Sequence, residues 1–266
     1  MLEDPVLSLP RLDLICQNGP LLTNLQYRIL KRFWPTRPDL SRDIWFTGPS
    51  RVGHLFGEDF LCRIQGKIVA DFGCGEGREA IELARLGATK VYGVEILSER
   101  LGIARELARQ AKVAQICEFV MRPPENADIV LSIDAFEHFD DPGSILREMD
   151  SMLAPQGEVW ISFGPPWYHP IGGHLFSVFP WAHLVFSEKA LIRWRSDFKH
   201  DGATRFSEVA GGLNQMTIAR FERIVEASPL RITTLTALPI RKLKPLHSRL
   251  TREFTTAAVR CVLVKK

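Results

Sequence analysis

The chain has 266 residues, 45% of them hydrophobic and 24% charged, the balance of an ordinary globular protein with room for one domain and appendages. A formal net charge of +3 is too small to argue for a nucleic-acid partner, and none is expected. Cys16, Cys62, Cys74, Cys117 and Cys261 form no C-x-x-C pair and are odd in number, so free thiols in a reducing compartment are expected. The start, Met1-Leu2-Glu3-Asp4-Pro5, lacks the basic and apolar regions of a signal peptide, and a cytoplasmic location is expected. The longest stretch without Asp, Glu, Lys or Arg lies between Glu158 and Glu188. Glycines and prolines break it too often for a membrane-spanning helix.

Residues 1–65 read as an N-terminal helical extension. Within it Asn24–Trp34 has helical spacing of apolar residues and stops at Pro35, and Ser50–Gly57 leads toward the core near the mouth of the site. A domain over residues 66–266 follows. Ile68-Val69-Ala70 reads as a buried strand, then come the alternating glycines Gly73, Gly75 and Gly77, then a helix over Ala80–Leu86. A second strand, Lys90–Val94, is closed by Glu95. Helix Glu99–Arg109, strand Ile116–Val120, strand Asp128–Asp134 and helix Pro142–Leu153 come next. Ala154–Gly157 reads as a turn into a fifth strand, Glu158–Phe163. An insertion occupies about residues 165–215. The tail holds an amphipathic helix, Met216–Glu226, and two β-rich runs, Arg231–Thr236 and Thr255–Val264. Strands alternating with helices imply an α/β fold with a doubly wound, mainly parallel sheet and right-handed crossovers.

A glycine turn between strand and helix lets a ligand approach the backbone closely, and the helix behind it presents unpaired N–H groups. Glu95, at the end of the next strand, can accept hydrogen bonds from both hydroxyls of a ribose. The spacing is G-x-G-x-G, and Arg78 stands where a dinucleotide site needs its last glycine. Asp71 at the mouth would repel a pyrophosphate and suit a cationic ligand. The stretch Asp71-Phe72-Gly73-Cys74-Gly75-Glu76-Gly77 resembles motif I of the class I S-adenosylmethionine-dependent methyltransferases, with Glu95 matching their acidic residue. Ser132–Phe139, with its Glu137-His138 pair before Asp140-Asp141-Pro142, looks like the fourth-strand motif of the small-molecule members. Leu153–Glu158 looks like their L-K-P-G-G turn, with Ala154 and Gln156 departing from it.

The resemblance implies a Rossmann-like methyltransferase fold with an antiparallel last strand, and S-adenosyl-L-methionine as cofactor. It implies cofactor contacts from Asp71, Gly73, Cys74, Gly75, Gly77, Glu95, Ile96 and Asp134. One departure concerns adenine. No acidic residue closes the third strand, and Met121, Arg122 or a group from elsewhere in the chain is expected to serve instead. The expected reaction is methyl transfer to a small or medium acceptor (glycan, lipid or phenol-like), most readily at oxygen. The alternatives are a non-catalytic sensor or scaffold subunit that binds the same cofactor, and an NAD(P)-dependent oxidoreductase. Arg78 and Asp71 disfavour the latter.

A hydroxyl acceptor needs a base, and histidine suits that task near neutral pH. His174, His169 and His138 are the candidates, in that order. A metal site from His169, His174 and His183 would have no carboxylate or cysteine nearby in sequence, so no metal is expected. The insertion begins Gly164–Phe176 and is dense in aromatics. It reads either as a helical cap with its own core or as a lid that lines the acceptor pocket and turns on Gly172-Gly173. Arg241, Lys242, Lys244, His247, Arg249 and Arg252 form a basic cluster, either solvated or available to anionic lipid headgroups or a phosphorylated carrier. A monomer or homodimer is expected.

Overall fold

The structure is a computed structural model that describes residues 19–36, 50–122, 125–209 and 211–266, so the expectations for Cys16 and the first residues lie outside it. The strands are β1 (Ile68–Phe72), β2 (Lys90–Val94), β3 (Cys117–Val120), β4 (Ala127–Ile133), β5 (Leu153–Phe163), β6 (Leu230–Pro239) and β7 (Thr256–Lys265). They form one sheet in the order β3-β2-β1-β4-β5-β7-β6. The first five are parallel, and β7 runs antiparallel between β5 and β6. The expected doubly wound sheet with an inserted antiparallel last strand is the observed one. The expected turn at Ala154–Gly157 instead belongs to β5, as an irregularity where the pairing jumps from Ala127–Leu153 to Ile129–Glu158.

Alternation along each strand sends neighbouring side chains to opposite faces. Val69 joins the core under α2 (Arg51–Arg63), α3 (Arg78–Arg85) and α4 (Ser98–Gln110), where Phe56, Phe60, Leu83 and Leu101 are buried. Ala70 joins the opposite core, under α5 (Pro142–Met152) and α8 (Ile218–Glu226), with Leu146, Met149 and Phe221. Each such Leu, Met or Phe contributes roughly 1.5–3 kcal/mol relative to exposure. Val52, Phe56 and Phe60 of α2, with Ile64 just after it, belong to the sheet's own core, so the packing unit starts near Ser50 and not at residue 66.

The insertion folds over the carboxyl edge of the sheet. It contains α6 (Ala182–Val185), α7 (Glu188–Ser196) and single 3₁₀ turns at His174–Phe176 and Phe206–Glu208. Phe176, Leu191, Trp194 and Phe206 make a third core, which Leu30 of α1 (Pro20–Phe33) completes. Gln26 of α1 accepts hydrogen bonds from the N–H and hydroxyl of Ser187, at 3.1 and 2.6 Å. The Trp194 indole N–H donates to the carbonyl of Trp34 at 2.7 Å. The aromatic insertion is therefore a cap with its own core, tied to the N-terminal helix. Residues 241–255, with the short helix α9 (Arg252–Thr255), connect β6 to β7. No helix among the described residues is long and apolar enough to cross a membrane.

Candidate active site

The strand order reverses between β1 and β4, and ligands of open α/β sheets bind beyond the carboxyl ends at such a point. The glycine turn lies there. Gly73, Gly75 and Gly77 all have positive φ, at 81°, 53° and 76°. Their surroundings differ. A Cβ on Gly77 would sit 2.5 Å from the Phe119 ring and 2.9 Å from Ala104, so this glycine is required by packing of α3 on α4 and β3. A Cβ on Gly75 would meet nothing closer than the Arg100 guanidinium, 3.7 Å away. That open space beside bare backbone is the cradle a close-lying cofactor needs.

Two carboxylates flank the cradle. Asp71 is buried, and its Oδ2 has no hydrogen-bond partner. Burial first, then the charge of Glu79, holds its pKa well above the usual carboxylate range. Glu95 is also buried. One of its oxygens accepts the Leu97 N–H at 3.0 Å, and the other lies 3.8 Å from Arg100. Ile96, beside it, is exposed. Cys74 turns its thiol into the core, where burial, then Asp71 and Glu95, push its pKa up, so the thiol is no nucleophile.

Asp134 sits at the end of β4 with φ 47° and pairs with Arg51, whose other nitrogen reaches Glu79 at 2.7 Å. Ser50 starts α2 by accepting the Gly53 N–H at 2.8 Å, and its hydroxyl donates to Glu82 at 2.5 Å, which sets Arg51 over the crevice. Sequence reading missed Arg51. The cap residue Ser50 ahead of a helix was the available signal, but the partners come from α3 and β4. Even with burial favouring the protonated form of Asp71, the carboxylates of Glu79, Glu95 and Asp134 outnumber Arg51 and Arg100, so the crevice is acidic on balance. That suits an ammonium and sulfonium and disfavours a pyrophosphate.

A second group stands beside the crevice, under the cap. His138, in the 3₁₀ turn Phe136–His138, donates its Nδ1–H to the Gly212 carbonyl at 2.9 Å, which leaves its Nε2 lone pair available. The neighbouring Glu137 accepts the Gly164 N–H at 3.1 Å through Oε1, while its buried Oε2 has no hydrogen-bond partner. Burial, then the charge of Asp134, pushes this carboxyl up to about 8. The His174 ring meets the His138 ring edge-on at 5.3 Å between centroids. Its Nε2 is buried without a hydrogen bond, and burial lowers its pKa to about 4. One ligand-type atom each from Glu137, His138 and His174 lie within 4.8 Å of one another. Such a set can share a proton or hold a divalent cation.

The other histidines are placed differently. His169 is buried in the cap, and its Nδ1 accepts the Ile171 N–H at 3.0 Å, holding the turn that leads to Gly172. His183 lies between the Ser177 hydroxyl at 2.9 Å and the Trp167 carbonyl at 2.7 Å, so both its nitrogens are engaged. The structure thus brings His138 and His174 together, gives His169 and His183 other bonds, and adds Glu137. Met121, expected near adenine, is exposed just after β3.

The sheet, the glycine cradle and the acidic strand ends match the fold of the class I S-adenosylmethionine-dependent methyltransferases, and a family model for a "Methyltransferase domain" matches residues 70–161. S-adenosyl-L-methionine is the cofactor of that class. Among particular proteins, the chain is similar to the ubiquinone biosynthesis O-methyltransferase of Aeromonas salmonicida (strain A449), 33% identical over 145 residues, 52% of this chain and 53% of that protein. It is also similar to the enzyme of that name from Neisseria meningitidis (strain DSM 15465 / Z2491), 31% identical over 142 residues, 51% of this chain and 58% of that one. The chain therefore spans about half the length of these relatives. Solved structures agree on the fold. A methyltransferase from Mesorhizobium loti superposes with TM-score 0.52 at 14% identity, covering 77% of this chain and 95% of that one. One from Listeria monocytogenes gives 0.50 at 15% identity, with 78% and 97% covered.

Proposed function

We propose that this protein transfers a methyl group from S-adenosyl-L-methionine to a hydroxyl oxygen of a small, phenol-like acceptor held between the end of β4 and the cap. The cofactor supplies a methyl group already activated on a sulfonium. The protein's own tasks are to hold the acceptor oxygen in line and to take its proton. Gly75, Glu95 and Ile96 would cradle the adenosine end, and Asp71, Asp134 and Arg51 the charged end. His174 Nε2 would receive the hydroxyl proton, with His138 and Glu137 beside it. Phe176 and the aromatics of the cap would shield the acceptor from water. The observation that carries this reading is the meeting of Glu137, His138 and His174 next to the cofactor crevice, with His174 Nε2 and one Glu137 oxygen left without a hydrogen bond. The relatives' names, which speak of O-methyl transfer in ubiquinone biosynthesis, support oxygen as the methylated atom.

Transfer of radiolabelled methyl to a panel of phenols, glycans and lipids is the test. His174→Ala should lower the rate by roughly 10²–10⁴ while S-adenosylhomocysteine still binds as in the wild type. Undiminished transfer by His174→Ala and His138→Ala would remove the base. Absence of any methyl transfer in wild-type protein that binds the cofactor would favour a sensor. The two imidazoles and one carboxylate also favour a second reading, in which a divalent cation there polarises the hydroxyl. Chelation with EDTA separates the two: the base reading expects an unchanged rate, the metal reading a loss restored by added Mg²⁺ or Zn²⁺.

A further inference from the structure

Helix α1 carries an apolar face that no described residue covers. Leu21, Leu25, Ile29 and Phe33 recur every four residues and are 86%, 56%, 37% and 68% exposed. That spacing lines them along one side of the helix. Gln26 and Leu30, on the other side, are buried against the cap, so the helix is already held without the exposed side chains. No acidic residue occurs in residues 19–36, whereas Arg28, Lys31 and Arg32 lie beside the stripe. The one carboxylate at hand, Asp197 at the end of α7, is paired to Lys31 at 3.4 Å.

The apolar surface continues across the roof of the site. The Trp34 ring rests on Phe179 with centroids 5.2 Å apart, and the exposed Trp181 and Val185 follow in the same segment. The Trp181 indole N–H donates to the Tyr168 carbonyl at 2.9 Å, and the Tyr168 ring packs on the exposed Phe254 at 5.1 Å. Phe254 belongs to the β6–β7 connection, which also exposes Leu246 and Leu250 and carries Arg241, Lys242, Lys244 and Arg249. Neither residues 164–187 nor residues 229–252 contain an Asp or Glu. Three segments distant in sequence thus join around the cap with Leu, Trp and Phe outward and Lys and Arg beside them; the one acid within them, Glu253 of α9, is engaged by the N–H groups of Ile218 and Ala219 at the start of α8.

We propose that this face docks on an anionic lipid bilayer. Helix α1 lies in the interface with its stripe among the acyl chains, Trp181 at the headgroup boundary, and the two basic groups against the phosphates. Charge decides for lipid over a second copy of the chain. A symmetric contact through this face would set its positive charge against itself, and Glu253, the one acidic residue of the three segments, is already held by the start of α8. Docking would place the cap and the acceptor side of the site at the membrane, where an apolar acceptor dissolves. The proposal does not rest on the acceptor assignment, since vesicles alone test it.

Flotation of the full chain with vesicles, without acceptor or cofactor, is the experiment. Binding to phosphatidylcholine vesicles holding about 30% phosphatidylglycerol should be at least roughly tenfold stronger than to phosphatidylcholine alone, and should weaken with salt. The double variant Leu25→Ser with Ile29→Ser should lose roughly tenfold or more of that binding, as should Arg241→Glu with Lys244→Glu. Both pairs are at the surface, so thermal unfolding should stay at the wild-type temperature and report that they fold. Wild-type protein that stays off anionic vesicles, or α1 variants that bind as well as wild type, would overturn the proposal. So would a stable dimer, seen by light scattering, that the α1 variants dissociate.

Discussion

Gly75 and Gly77 stand two positions apart in one turn and answer to different constraints. Phe119 and Ala104 leave no room for a side chain at Gly77, whereas the space beside Gly75 is open. Gly75→Val should therefore fold with a modest loss, since its left-handed backbone costs a β-branched residue about 1–2 kcal/mol. It should lose S-adenosylhomocysteine binding, because the new side chain fills the cradle. Gly77→Val should instead fail at folding. Thermal melts and calorimetry on the two variants separate these outcomes. Glu95→Ala should weaken S-adenosylhomocysteine by about 1–3 kcal/mol, the cost of a lost charge-assisted hydrogen bond, and unchanged affinity would take Glu95 out of the site. Asp71, Glu95 and the glycines were legible in the sequence because one strand–turn–helix–strand unit sets them within about 25 residues of one another. Arg51 and the unpaired oxygen of Glu137 were not, since the meaning of each depends on partners from distant elements.

At the scale of elements, the cap is the part whose chemistry and stability meet. His183 ties its two ends, since Ser177 and Trp167 both bond to its ring and the Trp167 indole packs on it at 4.6 Å. His183→Ala should cost about 2–4 kcal/mol, from lost packing and from the Trp167 carbonyl and the Ser177 hydroxyl proton losing their partner, read as a shift in urea midpoint. Burial lowers the His183 pKa to about 4, below its ordinary 6.5. As pH falls from 6.5 toward 4, the unfolded chain takes up the proton first. The contribution of His183 is thus complete above pH 6.5 and is lost as pH drops through 4. Wild type and His183→Gln, which cannot titrate, should differ most at pH 7 and converge toward pH 4. A gap that stays constant would show that His183 is not buried as a neutral ring. The aromatic density of residues 165–186 signalled apolar burial, but not against what. Leu30 of α1 and Trp194 of α7 complete that core, and nothing local announces either of them.

For the whole molecule, the question is whether the roof of the site is fixed or opens. Phe176, Leu191 and Trp194 are packed as tightly as the sheet, so amide hydrogens of α7 should exchange slowly in the free protein, at rates close to those of β4 and β5. Adding S-adenosylhomocysteine should slow exchange at residues 73–77 and 95–97 and leave α7 unchanged. Fast exchange in α7 that slows only when cofactor and acceptor are both present would show a closing lid. By itself, the sequence determined the sheet, the order of most of its elements and the class of cofactor. These rest on period-two and helical patterns, and on a glycine turn whose function is written within about 25 residues. Only the tertiary structure decided that the packing unit begins at α2, that His174 meets Glu137 and His138, and that the cap meets Trp34 after α1 through Phe179 and Phe254 of the basic connection through Tyr168. Those contacts join residues as far apart in sequence as Trp34 and Phe179, or Tyr168 and Phe254. They arise only when crossovers bring strand ends to one edge and the cap folds down over them, a geometry that no local pattern carries.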